Sequence, residues 1–549
     1  MTLAEQIRHI VKGDVTDAYE ALAAYSTDAS IFQVHPELVV APHSSEDIKN
    51  LVKFVSSHGG STGSPRLSLT ARAAGTDMSG GPLTESIVLD FLKYFQGIKR
   101  IDEDNREITV LPGTYYRDFE KATLEKGLIL PCYTASKELC TVGGMVANNS
   151  GGEKTLTYGK TIDYVKKLKV VFSDGHEYET RPLSRSELDL KMSQDNFEGK
   201  LYSNLFNLIE KNKQLIARAK PRVHKNSAGY YLWDVWDGKT FDINKLLVGS
   251  QGTLGLVTEI TFGLVKPKEH AALLVIFIDH LDELPGVVSR VLTHKPESFE
   301  SYDDHTMKLA VRFMPDMIKQ LGAKNLFSLA LKFWPEVKMI LIGGVPKFIL
   351  VAEFTGDSEY EVYDKAYKAE ADLKEFDLGT HIAKNDAEEN KYWTIRRESF
   401  NLLRKHVRGL HTAPFIDDVV VLPEKLGEFL PMLTAIIKEY KITFTIAGHI
   451  GDGNFHIIPL MDFGRPDFKQ IISELSQKVY DLVAKFNGSI TGEHNDGLIR
   501  TPYLNKMYSR EVLDLFAQTK RIFDPQNIFN PGKKVDGDLG YSLSHIRHW

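Results

Sequence analysis

"CTVGGMVANNSGGEKTLTYG", Cys140 to Gly159, sets Gly143, Gly144, Gly151, Gly152 and Gly159 around Asn148, Asn149 and Ser150. That is more conformational licence than a turn requires. Small residues let backbone N–H groups close on an anion, and a row of such donors cradles a pyrophosphate. Two more stretches repeat the theme, "RAAGTDMSGG" (Arg72–Gly81) upstream and "GSQGTLG" (Gly249–Gly255) downstream. Taken singly, Arg72–Gly81 equally suits a glycine-rich surface turn. Three in order suggest one long, folded ligand that contains phosphate.

The sequence between the loops reads as α+β. Ile48, Leu51, Val52, Phe54 and Val55 recur at helical spacing before Gly59-Gly60. Strand-like "SIVLDF" and "ITVLPG" flank a charged turn, and "KKLKVVFSDGHEYE" predicts two strands joined by a type I′ turn at Asp174-Gly175. After Pro267 the alternations lengthen, with strand "ALLVIFID", helix "ELPGVVSRVLTH" and strands at Phe348–Phe354 and Ile442–Ile446. We therefore expect a nucleotide-type domain over 1–268 built of two α+β subdomains, and a second α+β domain with an antiparallel sheet over 269–501. A C-terminal segment, 502–549, should pack back on the first domain.

With 549 residues, 42% hydrophobic and 26% charged, the chain is a multidomain globular protein, and a formal charge of -6 supplies no basic footprint for nucleic acid. Two cysteines, Cys132 and Cys140, are too few for an iron–sulfur cluster and fit a reducing compartment. The N-terminus mixes acidic and basic residues without a signal-type apolar run, so it reads as a retained amphipathic segment. These features point to the cytoplasm. Phe333, Trp334, Met339 and Ile340 lie among lysines, a pattern that allows peripheral contact with the inner membrane face, although a packed loop before a core strand is favoured.

"TIAGHIGDGNFHIIPL", Thr445 to Leu460, holds His449 and His456 across a glycine-rich turn. If Gly451–Asn454 is the hairpin loop, His449 directly faces His456, and both rings project from one sheet face toward a shared ion. Two satisfied polar histidines beside a turn is the plainer reading of this stretch alone. "GSITGEHNDG" shifts the balance by adding Glu493 and His494 between glycines. Two histidines and a carboxylate leave coordination positions open, as a catalytic site requires. "YWTIRRESFNLLRKHVRG" adds Arg396, Arg397, Arg404, Lys405 and Arg408 on a predicted helix, most of them expected on a solvated face.

The order "RAAGT", "PCYTASKELCTVGGMVANNSGG", "VGSQGTLGLVTEITFGLVKP" resembles the FAD-binding domain of the vanillyl-alcohol-oxidase flavoprotein superfamily. "GHIGDGNFH", "GEH" and "DPQNIFNPGKK" resemble its D-2-hydroxyacid dehydrogenase branch, which includes D-lactate dehydrogenases, the flavin subunit of glycolate oxidase and D-2-hydroxyglutarate dehydrogenase. The resemblance implies an α+β fold with a vanillyl-alcohol-oxidase-type FAD-binding domain and an α+β cap. It implies FAD with its pyrophosphate over Arg72, Ala73, Ala74, Gly75, Thr76, Asp77, Met78 and Ser79. Around the flavin it implies Pro131, Ser136, Thr141, Gly143, Gly144, Asn148, Ser150, Gly151, Gly152, Tyr158 and Gly159. The later motifs add Gly252, Leu256, Val257 and Asn530. No histidine occupies the pyrophosphate loop, so non-covalent FAD is expected.

The resemblance further implies that His449, His456 and Glu493 hold a divalent metal (Zn, Mn or Fe), with His494 as general base or, alternatively, as a fourth ligand. Arg396, three residues after Trp393, becomes the clamp for a substrate carboxylate. Three departures stand out: Gln251 in place of a glutamate, Asp77-Met78 in place of Ser-Leu, and the unmatched stretch 311–347. "FIDDVVVLP" also lacks the lysine that relatives use for a second carboxylate, which favours D-lactate or glycolate over D-2-hydroxyglutarate. The implied reaction is oxidation of a D-2-hydroxy acid with hydride passing to flavin N5. Electrons then go to an external quinone, cytochrome, electron-transfer flavoprotein or iron–sulfur subunit. Two rivals are a non-redox flavoenzyme of the alkyl-dihydroxyacetone-phosphate synthase type and a non-haem iron oxygenase using the two histidines and carboxylate.

Overall fold

Strands β1 (Asp14–Thr16), β2 (Leu38–Ala41), β3 (Leu69–Arg72) and β4 (Ile87–Asp90) form a sheet in the order β1-β2-β4-β3, parallel except at the β1 edge. The structure, a computed structural model, describes residues 1–58, 67–306, 346–385, 387–396 and 409–549. Gly59-Gly60, the membrane-facing candidates Phe333, Trp334, Met339 and Ile340, and Arg397, Arg404, Lys405 and Arg408 lie outside the described residues. The helix Ser45–Ser57 forms as its spacing predicts, burying Ile48, Leu51, Val52 and Val55 against Leu38, Val40, Leu69 and Leu89.

A second sheet, antiparallel throughout, runs β5-β6-β11-β7-β8, from β5 (Ile98–Asp102), β6 (Glu107–Val110), β7 (Val165–Val171), β8 (Glu177–Thr180) and β11 (Leu256–Gly263). A two-residue ribbon, β9 (Leu183–Ser184) with β10 (Thr240–Phe241), stands beside it. The helix Arg510–Phe523 closes this core with Val512, Leu515 and Phe516. The β7–β8 hairpin forms, but its turn is not type I′. Gly175 (φ 72°) is left-handed while Asp174 is not, and the Gly175 N–H donates to Phe172 O at 2.9 Å. That is the three-residue loop closed by a left-handed glycine, which spares Asp174 a strained backbone.

The third sheet has eight strands: β12 (His270–Ile278), β13 (Ser298–Asp303), β14 (Phe348–Gly356), β15 (Gly379–Ile382), β16 (His411–Thr412), β17 (Val419–Val420), β18 (Thr443–His449) and β19 (Asn454–Met461). Their order is β15-β12-β14-β13-β18-β19-β16, with β17 paired to β19. Helices Leu284–Thr293, Glu359–Asp372, Leu426–Lys438 and Phe468–Lys485 bury Val288, Ala366, Leu433 and Leu475 in one cluster with Phe299 and Ile446. Side chains alternate across a strand, so Glu300 lies on the opposite face from Phe299. The register Tyr302↔Ala447↔His456 carries that second face onto β18 and β19.

Candidate active site at the junction of the sheet and the glycine loops

The β18–β19 register departs from the expected hairpin. The loop is Ile450–Gly453, His449 pairs with Asn454, and His456 stands opposite Ala447. Gly453 takes the left-handed turn position (φ 67°), and a Cβ there would meet Val421 O at 1.8 Å, so only glycine fits that position of the loop. In this register His456 shifts by two residues relative to β18. A slip of two, unlike a slip of one, leaves a side chain on its original face. The two histidines remain neighbours on the face that carries Glu300, with ring centroids 5.3 Å apart.

Each ring is held from behind by a buried carboxylate. His449 Nδ1 lies 2.6 Å from Glu300 Oε1, and His456 Nδ1 lies 3.2 Å from Asp417 Oδ1. The opposite nitrogens converge on Glu493 Oε2, at 3.4 Å for His449 Nε2 and 3.8 Å for His456 Nε2. Ligand atoms bound at roughly 2.0–2.1 Å to a tetrahedral ion lie about 3.3 Å apart. The donor set, its spacing and the carboxylate behind each imidazole therefore fit a divalent cation. A second grouping, Asp417 with His456 and His494, brings in Nδ1 atoms already facing carboxylate oxygens.

Glu493 and His494 sit in a loop organised by Asp418, itself in the left-handed region (φ 69°). Its carboxylate accepts from the backbone N–H of Glu493 (2.8 Å) and His494 (2.7 Å), from Thr491 Oγ1 (2.7 Å) and from Asn454 Nδ2 (3.0 Å). The stretch "GSI" before this loop makes a single bridge, Val420↔Ser489, in place of the strand its composition suggests. The second oxygen of Glu493 accepts from Lys225 Nζ at 2.7 Å, and the fully buried Lys225 also meets Asp452 at 3.0 Å. Burial opposes ionisation of Glu493, but Lys225 and the histidines hold its carboxyl well below the usual range.

His494 stacks on His456 with centroids 5.0 Å apart, and its Nδ1 is 2.8 Å from Asp417 Oδ2, close but out of line for an ideal hydrogen bond. Burial disfavours its charge, yet Asp418 and Asp417 outweigh this and push the imidazole up to about 9. A divalent cation next to the stacked pair would act in the opposite direction and restore a neutral base. Arg396 directs Nε (3.2 Å) and one Nη (3.0 Å) to Glu300 Oε2. Two of its five N–H donors thus face a protein carboxylate.

The glycine loops close on this corner. Asn148 Nδ2 donates to Glu493 O at 2.7 Å, and a Cβ on Gly151 would come within 3.3 Å of Glu493 Oε1. Gly497 (φ 50°) lies against the first loop, where a Cβ would meet Ser79 O at 2.3 Å. Asn530 ties the first loop to the third, donating to Gly81 O (2.9 Å) and Gln251 O (2.7 Å). Ala73 neighbours Gly144, and Ala71 neighbours Gly252. Among the described residues, Asn148 Oδ1 and Asn149 Nδ2 are buried at this junction without a hydrogen-bond partner, as expected where a ligand rich in heteroatoms docks. The three loops thus form one cradle beside the histidines.

Comparison with known proteins matches residues 36–181 to an FAD binding domain and residues 267–534 to the C-terminal domain of FAD linked oxidases. The chain belongs to the FAD-linked oxidase family of vanillyl-alcohol-oxidase type. It resembles D-2-hydroxyglutarate dehydrogenase of Pseudomonas putida, 27% identical over 95% of this chain and 50% of that protein. It resembles glycolate oxidase subunit GlcD of Bacillus subtilis equally, 27% identical over 95% of this chain and 94% of the relative. The chain thus spans about half the length of the first relative. A solved structure of p-cresol methylhydroxylase with substrate bound shares the fold, with a TM-score of 0.69 at 14% identity, covering 98% of this chain and 96% of that one.

Several expected flavin contacts of this FAD-linked oxidase have structural duties. Arg72 donates to Tyr25 O and Thr27 O, Asp77 accepts from the N–H groups of Ser79 and Gly81, and Thr141 caps the helix Val142–Asn148. Gly143 and Gly152 are compelled by carbonyls, since a Cβ would meet Pro112 O at 2.5 Å and Tyr133 O at 2.2 Å. The Tyr158 hydroxyl donates to Glu297 on the sheet domain at 3.0 Å. Sequence reading missed Glu300, Asp417, Asp418 and Lys225. The Asp-Asp pair inside apolar "FIDDVVVLP" was a usable signal, because adjacent acids in a buried strand demand partners. Lys225 had none. No helix among the described residues is long and apolar enough to cross a membrane.

Proposed function

We propose that this FAD-linked oxidase is a metal-assisted dehydrogenase that oxidises a D-2-hydroxy acid, of D-lactate or glycolate size, to the 2-oxo acid. The observation that carries the reading is the meeting of His449, His456 and Glu493, backed by carboxylates, with His494 and the second glycine loop. FAD, when bound, supplies the two-electron acceptor and the divalent ion supplies Lewis acidity. Arg396 binds and orients the substrate carboxylate. His494 Nε2 takes the hydroxyl proton, since its Nδ1 faces Asp417. Asn148 and Gly151, packed on Glu493, keep the reacting centre against the flavin loop and exclude water.

Electrons leave to an external quinone, cytochrome, electron-transfer flavoprotein or iron–sulfur partner, and we place the protein in the cytoplasm, at the membrane face where such partners require it. The test is a screen of D-2-hydroxy acids with a dye acceptor on purified flavoprotein, including D-2-hydroxyglutarate because a relative carries that name. D-lactate or glycolate should bleach the flavin anaerobically and reduce the dye. The absence of a lysine in Phe415–Pro423 predicts slower turnover of the dicarboxylate. A protein with flavin that no 2-hydroxy acid reduces would overturn the proposal and favour the non-redox rival, and a protein that takes up no flavin would favour the iron oxygenase.

A further inference from the structure

Glu300 and Asp417 share an unusual duty. Each is buried, at 1% and 0% exposure, and each spends its two oxygens on two different functional groups. Glu300 Oε1 meets His449 Nδ1 at 2.6 Å while Oε2 meets Arg396 Nη at 3.0 Å. Asp417 Oδ1 meets His456 Nδ1 at 3.2 Å while Oδ2 lies 2.8 Å from His494 Nδ1. They approach from separate elements, Glu300 from the middle of β13 and Asp417 from the turn before β17.

We propose that Glu300 and Asp417 are positioning residues that lock the substrate-facing groups to the metal histidines, Arg396 to His449 through Glu300 and His494 to His456 through Asp417. An ionised carboxylate only accepts hydrogen bonds, so Glu300 and Asp417 demand a proton on Nδ1 of His449 and His456, the negative charge of Asp417 beside His494 favours a proton on that Nδ1 as well, and each Nε2 lone pair is turned inward. For His449 and His456 the inward lone pair is the ligand atom; for His494 it is the base. The rigid carboxylate then fixes the distance between ligand and clamp, or ligand and base, to within its own width, and productive geometry tolerates little more. The inference rests on the dehydrogenase reading above and deepens it.

The two links make separable predictions. Glu300→Gln offers one acceptor and one amide donor, so it can serve His449 or Arg396 but not both. Titrated with Mn2+ alone, that variant should bind about 10–100-fold more weakly, the usual cost of losing a carboxylate behind a ligand histidine. At saturating Mn2+ its KM for D-lactate, or for glycolate if that is the better substrate, should rise about tenfold or more with kcat changed less. Asp417→Asn should weaken Mn2+ similarly but lower kcat by about tenfold or more while KM holds.

Flavin content and Tm report whether each variant is folded. If an amide variant does not fold, Glu300→Asp and Asp417→Glu keep the charge and change the reach, and must show the same KM-against-kcat split. An unchanged KM in the Glu300 variant, an unchanged kcat in the Asp417 variant, or equal loss of both parameters in both variants overturns the proposal and leaves the dehydrogenase reading standing. A wild-type flavoprotein that neither binds Mn2+ nor turns over either acid overturns that reading and the linkage with it.

Discussion

Lys225→Met removes a positive charge that two buried carboxylates both contact. Lys225 is fully buried and contacts Glu493 Oε1 at 2.7 Å and Asp452 Oδ2 at 3.0 Å; Asp452 also faces His224, at 3.8 Å, and more distantly the charge of His449. Methionine fills most of the volume, so the cost is chiefly electrostatic. Removing one partner of a buried ion pair costs about 3–5 kcal/mol, because the charge left behind stays desolvated. In EDTA the variant should unfold several degrees below wild type. A divalent cation at the His449–His456–Glu493 corner supplies charge to the same carboxylate from its other oxygen. Mn2+ should therefore raise Tm more in Lys225→Met than in wild type, recovering part of the deficit through ligand linkage. The assay is thermal unfolding of both proteins, flavin-loaded, in EDTA and in Mn2+. A deficit of equal size in the two conditions would mean that Lys225 and the metal act on separate groups. No deficit in EDTA would remove the electrostatic account altogether.

Three other outcomes are expected. His456→Ala should lose Mn2+ affinity by more than the roughly 10–100-fold of a supporting residue and lose turnover, yet retain flavin, since that ring meets Asp417, Glu493, His449 and His494, all outside the glycine loops; metal analysis and the flavin spectrum decide this. His494→Ala should keep the metal and slow anaerobic flavin reduction about 10²–10⁴-fold, whereas Arg396→Lys should first raise KM, both read by stopped flow; loss of metal from His494→Ala would make it a ligand. Burial pushes Glu353 up to about 7 from its ordinary 4.5, so the folded state keeps a proton that the unfolded chain releases, and stability falls as pH rises through that window. Glu353→Gln should thus gain Tm over wild type at pH 8, with the gain shrinking toward pH 5; a difference independent of pH would refute it.

The local patterns were legible because one segment contains all that fixes them. The helices Ser45–Ser57 and Leu284–Thr293 and the strands β12 and β14 follow from apolar spacing and end where the composition changes. The turn at Gly453 was misplaced by one residue, and the contact that bears on it, with Val421 just after β17, lies outside the hairpin segment. The histidine pair survived that error only because the resulting slip was even. Glu300 and Lys225 were illegible because their partners stand 149 and 268 residues away in the chain.

The placement of the site follows from how the eight-stranded sheet is covered. Its helices pack on the face of Phe299 and Ile446, leaving Glu300, His449 and His456 on a face that needs a different cover. Bare to solvent, these carboxylates and imidazoles would be spread by hydration and screened; buried without partners, each charge would cost several kcal/mol. The glycine-loop half supplies Lys225 to Glu493, Asn148 to the Glu493 carbonyl and Lys154 to Glu297, while Lys160 Nζ reaches Gly492 O at 2.7 Å. Neither half can satisfy the site alone. Under the proposed function, the cation corner would be complete only where the glycine loops are docked, and that geometric dependence would put proton removal beside the electron acceptor.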